Sequence, residues 1–185
     1  PRTAKESTCL IVWGGNPSAS GPHIDKHWLA ELPGTLIVID PIRTPTAARA
    51  DIHLRPYPGT DSALAFGMMH ALKDMGSLDD ELIAQHTVGF DELSTTIADW
   101  TPARAAGVTE IPEADIIHAA EAYGAGLSML FFGQALCRAP TGGNAFRAAA
   151  MLPAITGNIG KPGTGLCFLN GKGTTRGLDM GYVGR

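Results

Sequence analysis

Leu10-Ile11-Val12-Trp13-Gly14-Gly15-Asn16-Pro17 is the stretch that decides the fold, and Thr35-Leu36-Ile37-Val38-Ile39-Asp40-Pro41 repeats its pattern one unit later. Each joins an apolar run that lacks polar alternation to a tip of turn-forming or charged residues. Such a run buries both faces, as strands do in a parallel sheet covered by helices on either side. Between the two, His23 to Leu32 has helical length and one polar side, and a β-helix-β unit of this size closes right-handed. Ligands of such sheets sit beyond the carboxyl ends of the strands, near the switch in strand order. Gly14, Gly15 and Asp40 fall there, and a third loop, Pro58-Gly59-Thr60-Asp61, follows another β-type segment and opens a helix. Three polar, Gly/Pro-rich edges of this kind are what a nucleotide crevice needs.

Composition narrows the class. At 185 residues the chain is one domain or a large piece of one, long enough to bury a core. Charged residues make up 17% and the net charge is -4, which disfavours a polyanion, so nucleic acid is not an expected partner. No apolar run approaches the roughly 20 residues a membrane helix needs, and no signal peptide precedes the first strand, so the chain as given reads as soluble, without membrane insertion. Cys9, Cys137 and Cys167 are far apart and form no C-x-x-C pair, which gives no local sign of a zinc or iron-sulfur site and no disulfide framework. Cys9, at the head of a buried strand, is most simply a small apolar residue.

The remaining text sorts into elements. Asp51-Ile52-His53-Leu54-Arg55-Pro56 predicts a short strand with Ile52 and Leu54 inward. Thr60 or Asp61 is suited to cap a helix whose stripe of Leu64, Met68, Leu72 and Met75 faces the core, and Met68, Met69 and Met75 are core residues on this pattern. Short helices follow over Asp79 to Ala84, Phe90 to Trp100 and Thr101 to Ala106, then one from Pro112 through Tyr123, together a helical insertion at about residues 77–125. The sheet resumes at Ser128-Met129-Leu130-Phe131-Phe132 and ends in Gly133-Gln134. A helix from Asn144 to Ile155 comes next, with Pro153 expected to kink it or end it early. Residues 157–185 form a Gly-rich tail with no core pattern of its own, expected to lie against something this chain does not contain. The expectation is a single α/β, three-layer Rossmann-like domain over residues 1–185, with a mainly parallel sheet and a small helical insertion.

Each candidate site residue also has a plainer role. Gly14-Gly15-Asn16-Pro17 makes a strand-to-helix turn in any protein, and Asp40 before Pro41 is a common brace for its own loop. The company of Asp40 and Pro58-Gly59 favours a ligand over a mere turn. Arg138 with Gly142-Gly143-Asn144 suits either a pyrophosphate at a helix N-terminus or an ordinary helix entry. Lys161 is better taken as solvated. His23, His27, His53, His70, His86 and His118 share no spacing typical of a metal site and are best treated as surface or satisfied histidines.

An ordered set of segments carries a family resemblance: Val12 to Pro17, Val38-Ile39-Asp40-Pro41-Ile42-Arg43-Thr44-Pro45-Thr46-Ala47, Pro58 to Leu64, His86-Thr87-Val88-Gly89-Phe90, Trp100-Thr101-Pro102, and Leu152-Pro153-Ala154-Ile155-Thr156-Gly157-Asn158-Ile159-Gly160-Lys161-Pro162-Gly163. In this set the chain resembles the cofactor-binding portion of the molybdopterin oxidoreductases of the dimethyl sulfoxide reductase and formate dehydrogenase class. The resemblance implies a bis(molybdopterin guanine dinucleotide) cofactor with molybdenum or tungsten, of which this domain would hold one guanosine and pyrophosphate arm. On that basis Gly14, Gly15 and Asn16 would line diphosphate and ribose, and Asp40 and Arg43 would meet the guanosine. Pro58, Gly59 and Asp61 would complete the nucleotide pocket, with Gly133 and Gln134 in the loop after the later strand. The chemistry suits these residue types: glycine lets backbone N–H groups approach phosphate, and a carboxylate accepts paired hydrogen bonds from guanine or ribose.

Two positions depart from the family pattern, Ile42 where an arginine is usual and Ala135 where a second glycine is frequent. The tail segment Asn170 to Gly181 resembles one that reaches toward the metal in formate dehydrogenase relatives, where Lys172 or Arg176 would orient an anionic substrate and Asn170 stands in an arginine's place. The metal ligand, any iron-sulfur cluster of the parent chain, and the domain covering the second pterin would lie outside these residues. The chain then reads as a fragment, inactive alone, whose partners are the pterin cofactor, the remaining domains of the parent enzyme and electron-transfer subunits. The alternative is a non-catalytic structural subunit of an electron-transfer complex that keeps the fold without the metal. The central domain of a thiamine-diphosphate enzyme, also Rossmann-like, lacks the ordered Asp-Pro-x-Arg-Thr and Thr-Gly-Asn-x-Gly segments.

Overall fold

A computed structural model describes residues 3–168. Its centre is a five-stranded sheet of β1 (Cys9–Trp13), β2 (Thr35–Ile39), β3 (Ile52–Leu54), β4 (Ser128–Phe132) and β5 (Gly165–Phe168). The order is β3-β2-β1-β4-β5 and every pair is parallel, so the direction of winding reverses between β1 and β4. In register, Val12 lies opposite Val38 on one side and Phe131 on the other. All five residues of β1 and of β4 are buried, which explains why neither strand alternates in sequence.

The helices are α1 (Pro17–Ser20), α2 (Pro22–Ile24), α3 (Asp61–Asp74), α4 (Asp80–His86), α5 (Phe90–Asp99), α6 (Pro102–Thr109), α7 (Glu113–Gly124) and α8 (Gly142–Ile155), with a π-helical turn at Asp25–Leu29. On one face Ile11, Trp13, Ile37, Ile39, Leu130 and Phe132 pack under α3, α7 and α8. On the other, Leu10, Val12, Leu36, Val38, Met129 and Phe131 meet Ala4, Leu29, Ala47 and Trp28. These two cores make the three layers expected of the Rossmann-like arrangement. Burying each large apolar side chain of β1 or β4 contributes about 1.5–3 kcal/mol, and the two central strands are therefore the most stabilising part of the sheet. No helix among the described residues is long and apolar enough to cross a membrane.

Local capping follows side-chain chemistry in the helical region. Asp79 accepts a hydrogen bond from Leu82 N (2.9 Å) at the start of α4, and Thr101 accepts one from Arg104 N (3.2 Å) at the start of α6. Between α3 and β4 the described chain is helical, and α7, its last helix, packs on α3 and touches β1 and β3.

Several expectations need correction. The helix read over His23 to Leu32 is present but shorter and partly wider: it starts at Pro22, runs as α2 straight into the π turn at Asp25–Leu29 and stops before Leu32, while Gly21, in a non-helical conformation, separates it from the preceding α1. Neither Thr60 nor Asp61 caps α3 with its side chain: the Thr60 hydroxyl donates to the Tyr57 carbonyl (2.6 Å) and Asp61 turns to Trp13. Met75 is 40% exposed rather than core, since it follows the last turn of α3. Pro153 neither ends α8 early nor stops it at its ring; it sits in the final turn, and its carbonyl accepts from Asn158 N (3.0 Å). The Gly-rich stretch is not without a core role, because Gly165–Phe168 forms β5 against β4. Asn170, Lys172 and Arg176 lie outside the described residues.

Candidate functional site at the strand-order switch

Where the winding reverses, the tips of β1 and β4 meet. Gly14 N donates to Ile39 O (2.8 Å) and Gly133 N to Trp13 O (2.8 Å), so each tip continues its neighbour's ladder by one bond. Ala135 N then donates to Gly14 O (3.2 Å). The crossing is so close that a Cβ on Gly133 would collide with the Gly14 carbonyl and the Gly15 Cα. Gly14 adopts a left-handed φ of 61°, and a Cβ there would strike the Leu136 side chain. Glycine at both positions is a demand of the backbone itself.

Below this crossing opens a cleft of about 640 Å³. Gly14, Gly15, Asn16, Gly133 and Gln134 line it together with Ala135 and Arg138, and the far wall is Ile24, Trp28, Cys167 and Phe168. Five of the ten residues singled out from sequence thus share one cavity with a cation and with flat aromatic surface. Ala135 takes its place in the lining without a glycine's freedom.

The Asn16 side chain is turned partly inward. Its Oδ1 lies 2.9 Å from the Thr46 hydroxyl, which also lies 3.0 Å from the Ser18 hydroxyl and accepts from Ser18 N (3.1 Å). Ser18 in turn donates to Asp25 Oδ1 (2.8 Å), and Arg49 closes the chain on the same oxygen (2.6 Å). This relay ties the β1 tip to the loop after β2. It fixes one edge of the cleft without spending the Asn16 amide N–H groups.

The other predicted residues stand apart. Asp40 is only 8% exposed and its Oδ1 accepts from Ile42 N (3.0 Å), the loop brace that an Asp before Pro commonly provides. Burial raises its pKa above the ordinary carboxylate range; the Ile42 N–H and His53 work against that shift, and nearby Asp61 adds to it. His53 Nε2 lies 3.0 Å from the Asp40 carbonyl oxygen, a contact its N–H tautomer makes. Arg43 is exposed. Asp61 Oδ1 accepts from the indole N–H of Trp13 (2.8 Å), which fastens the start of α3 to the end of β1. Pro58 lines a second depression of about 470 Å³ with Pro41, His53, Arg55 and Tyr57, and Gly59 lines a third of about 530 Å³ with Phe66, Trp100 and Arg147. Asp40, Arg43 and Asp61 line none of these three.

Sequence reasoning missed Trp28, Cys167 and Phe168 as cleft residues, and Thr46 as the partner of Asn16. The apolar three carry no polar signal, and β5 is four residues long. Thr46 was within the quoted Asp-Pro segment but had no visible reason to face Asn16. Among the described residues, no group of three or more metal-ligating side chains gathers.

The family model for molybdopterin oxidoreductases matches residues 3–182, so the chain belongs to the molybdopterin oxidoreductase family. It is 36% identical to the F420-dependent formate dehydrogenase 1 subunit alpha of Methanococcus maripaludis over 97% of this chain and 27% of that protein. It is 30% identical to formate dehydrogenase H of Escherichia coli, over 94% of this chain and 25% of the relative. Among solved structures it resembles acetylene hydratase from Pelobacter acetylenicus, with a TM-score of 0.74 and 28% identity, covering 82% of this chain and 21% of that one. The chain therefore spans about a quarter of the length of the relatives it matches.

Proposed function

We propose that this chain is the part of a molybdenum or tungsten pterin oxidoreductase that holds the guanosine and pyrophosphate arm of a bis(molybdopterin guanine dinucleotide) cofactor. One observation carries the proposal: Gly14, Gly15 and Gly133 cross backbone on backbone at the β1–β4 switch and open onto a cleft that also holds Arg138. The donor set fits such an arm. The N–H groups of Gly14, Gly133 and Ala135 are spent on neighbouring carbonyls, so the close crossing would serve to bring the Gly15 and Asn16 backbone up to phosphate oxygens, and Arg138 would supply the matching charge.

The residues divide the work by their chemistry. Gly14, Gly15 and Asn16 would grip the diphosphate and ribose, with Gln134 and Arg138 on the opposite lip. Asp40, Arg43, Pro58, Gly59 and Asp61 sit at the carboxyl ends of β2 and β3 and would receive the guanosine end, although the Asp40 carboxylate already spends one oxygen on its own loop. When bound, the metal would supply two-electron chemistry, while this chain supplies grip and orientation. Catalysis, substrate and electron-transfer partners belong to the parts of the parent protein beyond this chain.

The test is a release assay on the full-length parent protein, denatured and analysed for molybdenum, tungsten and guanine nucleotide. Metal and guanine nucleotide in fixed proportion are expected. Neither in the wild-type protein would sink the proposal and favour the non-catalytic subunit. Asp40→Ala should reduce cofactor content while the protein keeps its circular dichroism spectrum; undiminished content removes Asp40 from the site.

A further inference from the structure

We infer that His23 and His27 form a two-histidine chelating pair for a borderline divalent transition-metal ion, on the outer side of the segment that walls the cleft. Although the six histidines together show no metal-site spacing, this pair is four apart across α2 and the π turn, a spacing that stacks side chains on one helical face and that the structure makes helical. Their rings lie side by side with centroids 4.7 Å apart and planes tilted by 48°. Metal–nitrogen bonds of about 2.0–2.1 Å span two imidazole nitrogens up to about 4 Å apart, a separation of the order of the distance between these rings.

Both side chains are exposed, and among the described residues neither ring makes a hydrogen bond or an ion pair. Two of the other histidines differ: His53 faces the Asp40 carbonyl, and His70 is held between the Ile97 carbonyl and Asp74. Asp25, the carboxylate between the pair, turns its Oδ1 to Ser18 and Arg49, and among the described residues no third ligating side chain joins the two histidines. The pair therefore offers two uncommitted nitrogen donors and no carboxylate, with water filling the remaining positions. Imidazole donors of this kind suit copper(II), nickel(II) and zinc(II), copper binding most tightly, and exclude magnesium and calcium.

The neighbouring aromatic supplies a reporter. His23 stands edge-on to Trp28, with centroids 6.2 Å apart at 81°, and Trp28 lines the cleft. A paramagnetic ion at the pair would quench Trp28 emission and stiffen that wall.

The experiment titrates Cu2+, and separately Ni2+, into the full chain carrying no purification tag, followed by calorimetry and tryptophan fluorescence. The wild type is expected to show a site saturating at one ion per chain with quenching. His23→Gln and His27→Gln should each weaken that site tenfold or more, and Trp28→Phe should abolish most of the quenching while leaving the stoichiometry intact. Because the histidines are exposed, both variants should fold normally, which unchanged circular dichroism verifies. Wild-type affinity in either histidine variant, or an unchanged isotherm in the double variant, would overturn the inference. Loss of the site in both, with magnesium giving no heat, would support it.

Discussion

A methyl group at Gly133 would be driven into the backbone of Gly14 and Gly15, and no side chain is available to yield. Gly133→Ala should therefore cost at least the roughly 1–3 kcal/mol typical of overpacking and lower the denaturation midpoint, whereas Ala at Gly143, which has open space around it, should not. Asp40 gives a pH signature. Its pKa is raised in the fold by burial, so protonated Asp40 is favoured there; that contribution is fully present below the unfolded value of about 3.9 and is lost as pH rises through the higher folded value. Asp40→Asn should flatten this part of the stability curve, measured as melting temperature against pH from acid to neutral, and should not destabilise at neutral pH. A steeper curve in the variant would contradict the assignment.

At the scale of elements, two ties decide where the loop tips point. Trp13 is fully buried, and its indole N–H holds Asp61 at the head of α3. Trp13→Phe would keep most of the packing but leave Asp61 without that donor, and should cost about 1–3 kcal/mol in chemical denaturation. The relay from Asn16 through Thr46, Ser18 and Asp25 to Arg49 does the same for the β1 tip. Strands β1, β2 and β4 were legible because unbroken apolar runs report burial on both faces. Strand β5 was not: Gly165-Leu166-Cys167-Phe168 is short, lies at the sheet edge and buries only alternate residues partially. The π turn was equally invisible, since a single extra residue per turn leaves the hydrophobic pattern almost unchanged.

For the molecule as a whole, the sequence predicted three loop tips around one nucleotide. The described structure gathers five of those ten residues into one cleft and sets the rest at the neighbouring strand ends. Spacing told which loops follow strands; it had no means of telling how far apart strand ends lie once the sheet twists. Burial also sets Cys9 apart from Cys137, with half-buried Cys167 between them. Cys9 is wholly enclosed and its thiol is pushed up to about 12 by burial, while Cys137 is exposed. A thiol reagent near neutral pH should modify Cys137 first and leave Cys9 intact until the chain unfolds, because the thiolate is the reacting form. Mass spectrometry of labelled peptides reads the order, and early labelling at Cys9 would show that β1 opens in the native state.

The parallel order of the sheet also governs birth on the ribosome. Cys9 of β1 pairs with Ser128 of β4, 119 positions further along. At translation speeds of about 5–20 residues per second, the nascent central strand waits on the order of 6–24 s for the neighbour that closes its open side. During that interval an apolar ribbon with unpaired amides is presented to solvent, a template for unwanted association. Synthesis arrested before β4 should therefore yield chains that depend on a chaperone to stay dispersed.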